Sequence, residues 1–192
     1  GCDPSPPAPT DYAVIMYTSG TTGGSKGVLL THRNFCGICV NFDAALSWSR
    51  ADDVYLSYLP LAHIMELGAE VYLFGKGVML GYGSPHTLTN TGVKLKAGAC
   101  EGDAPTLSPT ILVFAPAVLD KVYNKVASTF ASKKGIAKCL IDGGLASGRK
   151  NFDAGKTSGA SGLIAPKLFK KKMATLLGGK VKLILTGSAP LG

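Results

Sequence analysis

Residues 12–30 read YAVIMYTSGTTGGSKGVLL, in which two apolar runs enclose a glycine-rich segment. A short, almost continuous apolar run at residues 12–17 comes first and is typical of a β-strand buried on both faces. A loop of glycines and small hydroxyl side chains follows, with Lys26 as its only charged residue. A second apolar run comes directly after the loop, at residues 28–30. The pattern predicts a strand, a glycine-rich loop leaving the edge of a sheet, and a second strand.

The composition of this loop suits phosphate groups. Glycines permit tight or left-handed turns in which consecutive backbone N–H groups converge on an anion. Threonine and serine hydroxyls add donors without bulk, and the Lys26 ammonium can reach a terminal phosphate oxygen. A flexible linker is the alternative for such a stretch, but its position between two apolar strands argues against a slack segment. The spacing differs from the G-x-x-x-x-G-K-[ST] loop, because Lys26 is followed by Gly27.

Composition restricts the classes of partner. The chain has 192 residues, of which 46% are hydrophobic, enough for one globular core. Its 20 basic and 12 acidic residues give a net charge of +8, which favours anionic partners such as nucleotides, phosphates or acidic lipid. No basic stretch alternates with aromatic residues, so nucleic acid is not an expected partner. No apolar run approaches the ~18 residues of a membrane span.

Strands and helices alternate along the chain. Thr31 is the predicted N-cap of a helix with an apolar stripe from Phe35 to Leu46. Further strands are predicted at 54–59, 78–81, 111–114 and 181–185, and further helices at 62–74, 118–130 and 168–177. The alternation predicts an α/β fold in which helices flank the sheet. Two stretches do not fit it: residues 83–109 read as a long surface excursion, and residues 142–162 as loosely ordered.

Five cysteines is a small and odd number, which does not fit a disulfide framework. It indicates a reducing cytosol. Cys36 and Cys39 have C-x-x-C spacing, but no second pair or neighbouring histidine completes a zinc site. Both are expected to fall on an apolar helical stripe, so core packing is favoured over redox or metal chemistry.

Residues 15–28 (IMYTSGTTGGSKGV) resemble the phosphate-loop signature of the adenylate-forming superfamily, which includes acyl-CoA synthetases, luciferases and peptide-synthetase adenylation domains. Further blocks resemble long-chain fatty acyl-CoA synthetases in particular. They occur in the order found in that family and are YLSYLPLAHIME at 55–66, GYGSPHTLT at 81–89, PTILVFAPAVLDKV at 109–122 and LLGGKVKLILTGSAPL at 176–191. The resemblance extends over residues 11–191, nearly the whole chain.

The resemblance implies part of the large N-terminal domain of the adenylate-forming fold, and an ATP-dependent fatty acid–CoA ligase that uses Mg²⁺ and coenzyme A. It implies a catalytic role for His63 near the carboxylate and the α-phosphate, although a histidine at a helix start also fits a structural cap. The residues implied to bind the ATP phosphates are Thr18, Ser19, Gly20, Thr21, Thr22, Gly23 and Lys26. Those implied beside the adenine and the acyl tunnel are Gly187, Ser188, Ala189 and Pro190, and no metal ligand is assigned.

The resemblance leaves the role of Glu66 open. This residue matches the glutamate of the YLPLAHIxE block, but Leu67 replaces the arginine that commonly follows it.

The expected domain organisation is a linker-like start at residues 1–10 and a partial AMP-binding domain at residues 11–192. We expect the chain to be an internal piece of a longer protein, because the family's later motifs and its C-terminal subdomain are not in the sequence. The 192-residue chain alone is therefore expected to have no appreciable ligase activity. The alternative function is a non-catalytic nucleotide- or phosphate-binding module derived from the same fold.

The resemblance also implies a fatty acid substrate and peripheral association of the parent protein with a membrane. The expected location is the cytosolic side of an intracellular membrane, the endoplasmic reticulum first, with plastid and peroxisome as alternatives. Basic residues 167–172 fit an anionic lipid surface, but an ordinary solvated helix face is the favoured interpretation. Medium-chain, very-long-chain and aryl substrates stay open.

Overall fold

A computed structural model of the chain describes residues 3–18, 24–90, 92–96, 100–131, 146 and 171–187. The chain divides into two compact units, residues 1–84 and residues 85–192. The first unit contains β1 (Tyr12–Thr18), β2 (Lys26–Thr31), α1 (His32–Leu46), β3 (Val54–Ser57), α2 (Ile64–Gly75) and β4 (Met79–Tyr82). The second contains α3 (Asp103–Leu107), β5 (Ile111–Phe114), α4 (Pro116–Ala131) and β6 (Leu183–Thr186), and residues 171–176 are helical.

Strands β1 and β2 form a two-stranded antiparallel sheet in which Ile15 lies opposite Leu29. The prediction that residues 12–17 are buried on both faces is wrong. Tyr12 and Tyr17 are 68% and 71% exposed, and only Met16 is buried in this strand. A continuous apolar run fits a half-covered hairpin as well as a buried strand, because the pattern does not report what packs over it.

Helix α1 begins where the sequence predicts. The Thr31 hydroxyl accepts a hydrogen bond from the Asn34 backbone N–H, and the Asn34 side chain accepts one from the Thr31 N–H at 3.1 Å. This capping box satisfies donors that the first turn leaves without helical partners. The predicted core packing of both cysteines is wrong for Cys36, which is exposed, whereas Cys39 is partly buried. Cys36 lies off the Phe35–Leu46 stripe by one helical position, about 100° around the helix.

Strands β3 and β4 run parallel and are connected by α2, so the three elements form a β–α–β unit. Tyr55 lies opposite Leu80 in the ladder. Gly68 allows α2 to approach α1 closely, because a Cβ atom at this position would lie 2.6 Å from Ile38 Cγ2. The three predicted elements of this unit are therefore confirmed, with boundaries that differ by at most a few residues.

Strands β5 and β6 also run parallel, with Ile111 opposite Leu183. All four side chains of β5 are fully buried, as expected of a strand that is covered on both faces. Helix α4 follows β5 almost directly and buries Val122 and Val126. Parallel strands that alternate with flanking helices confirm the predicted α/β class.

The stretch at residues 83–109 is more structured than the predicted surface excursion. It includes α3, and Leu88 and Ala104 are buried. The Asp103 and Ala104 N–H groups donate to the Thr87 and Leu88 carbonyl oxygens at 2.9 and 3.0 Å, so the two halves of the stretch are tied together. Sequence pattern cannot reveal such pairing, because it joins residues about fifteen positions apart. The other unassigned stretch, 142–162, lies outside the described residues except for residue 146.

Candidate functional site

The loop between β1 and β2 leaves and re-enters the hairpin at paired positions. Thr18 ends β1, Lys26 begins β2, and the two residues lie opposite each other in the ladder. The Thr18 hydroxyl donates to the Lys26 carbonyl oxygen at 3.4 Å. Residues 19–23, which carry most of the predicted phosphate contacts, lie outside the described residues. The ends of the loop are thus held together by strand pairing.

Two described residues near this loop are open to a ligand. A Cβ atom at Gly24 would meet no other atom within 4 Å, so internal packing does not require glycine there. Lys26 is exposed and forms no ion pair with any other residue that the structure describes. Its ammonium group is available to an anion at this end of the hairpin.

His63 is the N-cap of α2. Its backbone is extended, with φ −98° and ψ 121°, and its Nδ1 atom accepts a hydrogen bond from the Met65 N–H at 3.3 Å. An accepting Nδ1 carries no proton, so in the neutral ring the proton is on Nε2. The side chain is exposed. The arrangement presents an N–H donor outward while the other ring nitrogen holds the start of the helix.

A buried polar cluster lies between β3 and α2, formed by Tyr55, Ser57, Glu66 and Glu70. The Tyr55 hydroxyl donates to Glu66 Oε2 at 2.8 Å, and the Ser57 hydroxyl donates to Glu70. Glu66 is fully buried, and its Oε1 atom has no hydrogen-bond partner among the described residues. Burial raises the pKa of Glu66 to about 7, against the hydrogen bond that it accepts from Tyr55.

Sequence reasoning left the role of Glu66 open and missed this cluster. Two regularities of spacing contain the signal. Tyr55 and Ser57 are two positions apart and so share one face of a strand, and Glu66 and Glu70 are four apart and so share one face of a helix. A carboxylate in the first turn of a helix is, however, more commonly an exposed partner of the helix dipole.

Gly187 directly follows β6 and is partly buried. It therefore lies at the carboxyl end of a parallel strand, the edge at which α/β proteins commonly bind ligands. The neighbouring predicted residues Ser188, Ala189 and Pro190 lie outside the described residues. Of the predicted site residues, Thr18 and Lys26 are in direct contact, whereas His63 bonds to the backbone of its own helix.

Two features are absent from the part of the chain that the structure describes. It contains no group of three or more His, Cys, Asp and Glu side chains that would hold a metal ion. It also contains no helix with the length and hydropathy required to span a bilayer.

The comparison with protein families covers the entire chain. Residues 1–192 match the model described as AMP-binding enzyme. The chain belongs to the AMP-binding enzyme family. The resemblance seen in the phosphate loop and in the later blocks is confirmed by this match.

Individual relatives of this AMP-binding enzyme carry more specific names. The chain is 40% identical to long chain acyl-CoA synthetase 8 of Arabidopsis thaliana, over 96% of this chain and 26% of that protein. It is 35% identical to long-chain-fatty-acid–CoA ligase 2 of Schizosaccharomyces pombe, over 98% of this chain and 26% of that protein. The chain thus spans about a quarter of the length of these curated relatives.

Solved structures support the fold. The inhibitor-bound N-terminal domain of FACL13 from Mycobacterium tuberculosis matches with a TM-score of 0.52 and 19% identity, over 98% of this chain and 34% of that chain. ATP-bound MatB from Rhodopseudomonas palustris matches with a TM-score of 0.52 and 21% identity, over 96% of this chain and 26% of that chain. The chain therefore shares its α/β architecture with proteins of low sequence identity.

Proposed function

We propose that this chain is part of a long-chain fatty acid–CoA ligase. The observation that carries the proposal is the 40% identity, over 96% of the chain, to a protein named as a long-chain acyl-CoA synthetase. A further relative, from Cavia porcellus, is named long-chain-fatty-acid–CoA ligase 1 and is 32% identical over 98% of the chain. Because the chain spans about a quarter of these relatives, we assign the activity to the full-length protein.

The proposed reaction has two steps. A fatty acid carboxylate oxygen attacks the α-phosphorus of ATP, the bond to the β-phosphate oxygen breaks, and pyrophosphate leaves. The coenzyme A thiolate then attacks the carbonyl carbon of the acyl-AMP, and AMP leaves as the thioester forms. Both steps require accurate placement of the phosphate groups and stabilisation of the charge that develops on them.

The loop between β1 and β2 is proposed to hold the β- and γ-phosphates, through residues 18–23 and the Lys26 ammonium. Three observations support this role. Strand pairing anchors both ends of the loop, Gly24 is not required by packing, and Lys26 is exposed without an ion pair to another described residue. Each charge-assisted hydrogen bond to a phosphate contributes about 1.5–3 kcal/mol.

His63 is proposed to act as a hydrogen-bond donor to the reacting carboxylate or to the α-phosphate. The N-cap bond to Met65 occupies Nδ1 as an acceptor, which places the proton of the neutral ring on Nε2. A neutral ring that donates from Nε2 keeps the hydrogen bond from the Met65 N–H to Nδ1. A ring with protons on both nitrogens would lose that hydrogen bond. The geometry therefore favours a donor over a general base. Gly187 and residues 188–190 are proposed to run beside the adenine and the acyl tunnel.

Mg²⁺ and coenzyme A are further proposed requirements of the full-length protein. When bound, Mg²⁺ would neutralise phosphate charge during adenylation. The described residues contain no cluster of side chains that fits a metal ion.

The full-length protein is proposed to work at the cytosolic face of an intracellular membrane, the endoplasmic reticulum first. Long-chain fatty acids partition into bilayers, and Lys171 and Lys172 are exposed on the helical residues 171–176. Cell fractionation with a tagged full-length protein tests this location. Recovery in a soluble fraction free of membranes would contradict it.

The activity is tested with the purified full-length protein, ATP, Mg²⁺, oleate and coenzyme A. We expect release of AMP and formation of oleoyl-CoA, and, without coenzyme A, oleate-dependent exchange of pyrophosphate into ATP. ATP binding without release of AMP would instead indicate the non-catalytic nucleotide-binding module. The 192-residue chain assayed alone is expected to show no turnover.

A further inference from the structure

The second unit contains a cavity of about 240 Å³ between residues 85–92 and α4. Its apolar surface comes from Leu88, Val118, Val122 and Leu176, and two lysines of α4, Lys121 and Lys125, also line it. None of the residues proposed above for ATP binding or for catalysis belongs to this lining. The lining is therefore distinct from the residues that the proposed reaction uses.

The wall formed by residues 85–90 and Gly92 is held in place by its own hydrogen bonds. The Gly92 N–H donates to the Thr89 carbonyl oxygen at 2.7 Å, and the Lys94 N–H donates to the His86 carbonyl oxygen at 3.3 Å. Gly92 packs so closely on this turn that a Cβ atom there would lie 2.3 Å from the His86 carbonyl oxygen. The wall is therefore closed by backbone contacts and does not depend on a ligand.

A second set of hydrogen bonds ties the same wall to the start of α3. The Thr87 hydroxyl donates to Asp103 Oδ2 at 2.5 Å, and the Gly102 N–H donates to Asn90 Oδ1 at 2.6 Å. The Asp103 carboxylate is thereby engaged by Thr87. A cavity with such a braced wall is largely formed before a ligand arrives, as small-molecule sites usually are.

The lining combines an apolar floor with positive charge. Leu88 and Val122 are 2% and 8% exposed, so they form the closed part of the cavity. Lys121 and Lys125 are exposed and lie four positions apart on α4, so their side chains emerge from the same face one turn apart. Two ammonium groups in reach of one apolar recess match a ligand with an apolar body and an anionic end.

The size of the cavity restricts the ligand further. Pockets that enclose whole drug-sized molecules occupy roughly 300–1,000 Å³, and this cavity is smaller. It has room for part of an alkyl chain, while an anionic group at the mouth stays near water. We propose that this cavity binds an amphiphilic anion, with its apolar part against Leu88 and Val122 and its carboxylate or phosphate against Lys121 and Lys125.

The proposal is tested by calorimetric titration of the full-length protein with decyl phosphate below its micelle concentration. We expect saturable binding that weakens about a hundredfold in the Lys121→Gln/Lys125→Gln variant, because each of the two charge-assisted contacts is worth about a factor of ten. The matched control is Arg50→Gln/Lys180→Gln, which removes the same charge from exposed positions outside the lining. Equal affinity in both variants would overturn the proposal, as would an absence of saturable binding to the wild type.

Two further ligands distinguish a fatty acid from a phosphate ester as the natural anion. Decanol has the same alkyl chain without the charge, and binding of decanol as tight as that of decyl phosphate would contradict an anion site. Decanoate that binds more tightly than decyl phosphate identifies a free fatty acid as the source, and the reverse order identifies a phospholipid or other phosphate ester. The lysine-pair variant isolates this site from any substrate site that also accepts decanoate.

A wild-type measurement keeps the test independent of variant folding. An alkyl phosphate with a diazirine at the end of its chain is photo-crosslinked to the full-length protein, and the labelled peptides are mapped by mass spectrometry. We expect label on α4 or on residues 85–92, competed by excess decyl phosphate. Label confined to other peptides would overturn the proposal.

Discussion

At the scale of single residues, the role proposed for His63 assigns different tasks to the two nitrogens of its ring. Nδ1 accepts the Met65 N–H and so fixes the start of α2, while the exposed Nε2–H is directed outward. A substitution that keeps the cap but removes the imidazole separates the two tasks. Asparagine is suitable, because its side-chain oxygen caps helices as well as any residue.

We predict that His63→Asn in the full-length protein keeps the stability of the wild type but lowers kcat by about tenfold or more, the value of one charge-assisted hydrogen bond. His63→Ala is expected to lose the same activity and also about 1 kcal/mol of unfolding free energy, because it removes the cap. Steady-state kinetics and urea denaturation measure the two effects. A His63→Asn variant as active as the wild type would rule out the chemical role.

The carboxyl group of Glu66 makes stability depend on pH. Its folded pKa is raised from 4.5 to about 7, so the folded state binds the proton more tightly than the unfolded state does. Unfolding free energy therefore falls as pH rises from about 4.5 to about 7 and changes little from this source above that range. The Tyr55 bond is retained in both protonation states of the carboxyl group, because Oε2 remains an acceptor.

We predict that Glu66→Gln, which cannot ionise, removes the fall in unfolding free energy that the wild type shows as pH rises. The stability of the variant relative to the wild type is expected to increase between pH 5 and pH 8, as measured by urea midpoints at several pH values. Parallel pH profiles for the two proteins would contradict a buried carboxyl group with a raised pKa.

At the scale of elements, the contact between α1 and α2 depends on the absence of a side chain at Gly68. A Cβ atom there would lie 2.6 Å from Ile38 Cγ2 and 3.1 Å from Phe42 Cε2. Ile38 is β-branched and has little freedom to move away. Gly37, in the middle of α1, is the matched control, because a Cβ atom there meets nothing within 4 Å.

We predict different changes in the unfolding free energy for alanine at the two positions. Gly37→Ala should raise the unfolding free energy by about 1 kcal/mol through helix propensity. Gly68→Ala has the same propensity gain, but overpacking costs about 1–3 kcal/mol, so the net change is neutral to destabilising. Chemical denaturation of the full-length variants measures both. A Gly68→Ala gain equal to that of Gly37→Ala would show that the helices are not in close contact.

Much of this element structure could be predicted from sequence, and the exceptions have physical causes. Thr31 was identifiable as a cap because capping is local, and the α/β class follows from alternating patterns. The exposure of Tyr12 and Tyr17 was not predictable, because it depends on what covers the hairpin. The burial of Glu66 depends on Tyr55 and Ser57 from another element. Phosphate binding by the loop between β1 and β2 is predicted from the composition of the loop and its resemblance to a family motif. Residues 19–23 of this loop lie outside the described residues.

At the scale of the whole molecule, the chain accounts for about a quarter of the length of its relatives. Its two units contribute different candidate sites. The first contains the loop between β1 and β2 and the His63 cap, and the second contains Gly187 and the α4 cavity. In the first unit, the loop between the paired residues Thr18 and Lys26 is proposed to hold the phosphates of ATP.

The most direct measurement is oleate-dependent exchange of pyrophosphate into ATP by the full-length protein with Lys26→Gln and Thr21→Ala combined. Removal of two charge-assisted hydrogen bonds is expected to reduce exchange by about a hundredfold or more. The control is Lys172→Gln, which removes one charge from an exposed position outside the loop and should retain wild-type exchange. Exchange at the wild-type rate in the double variant would contradict phosphate binding by this loop.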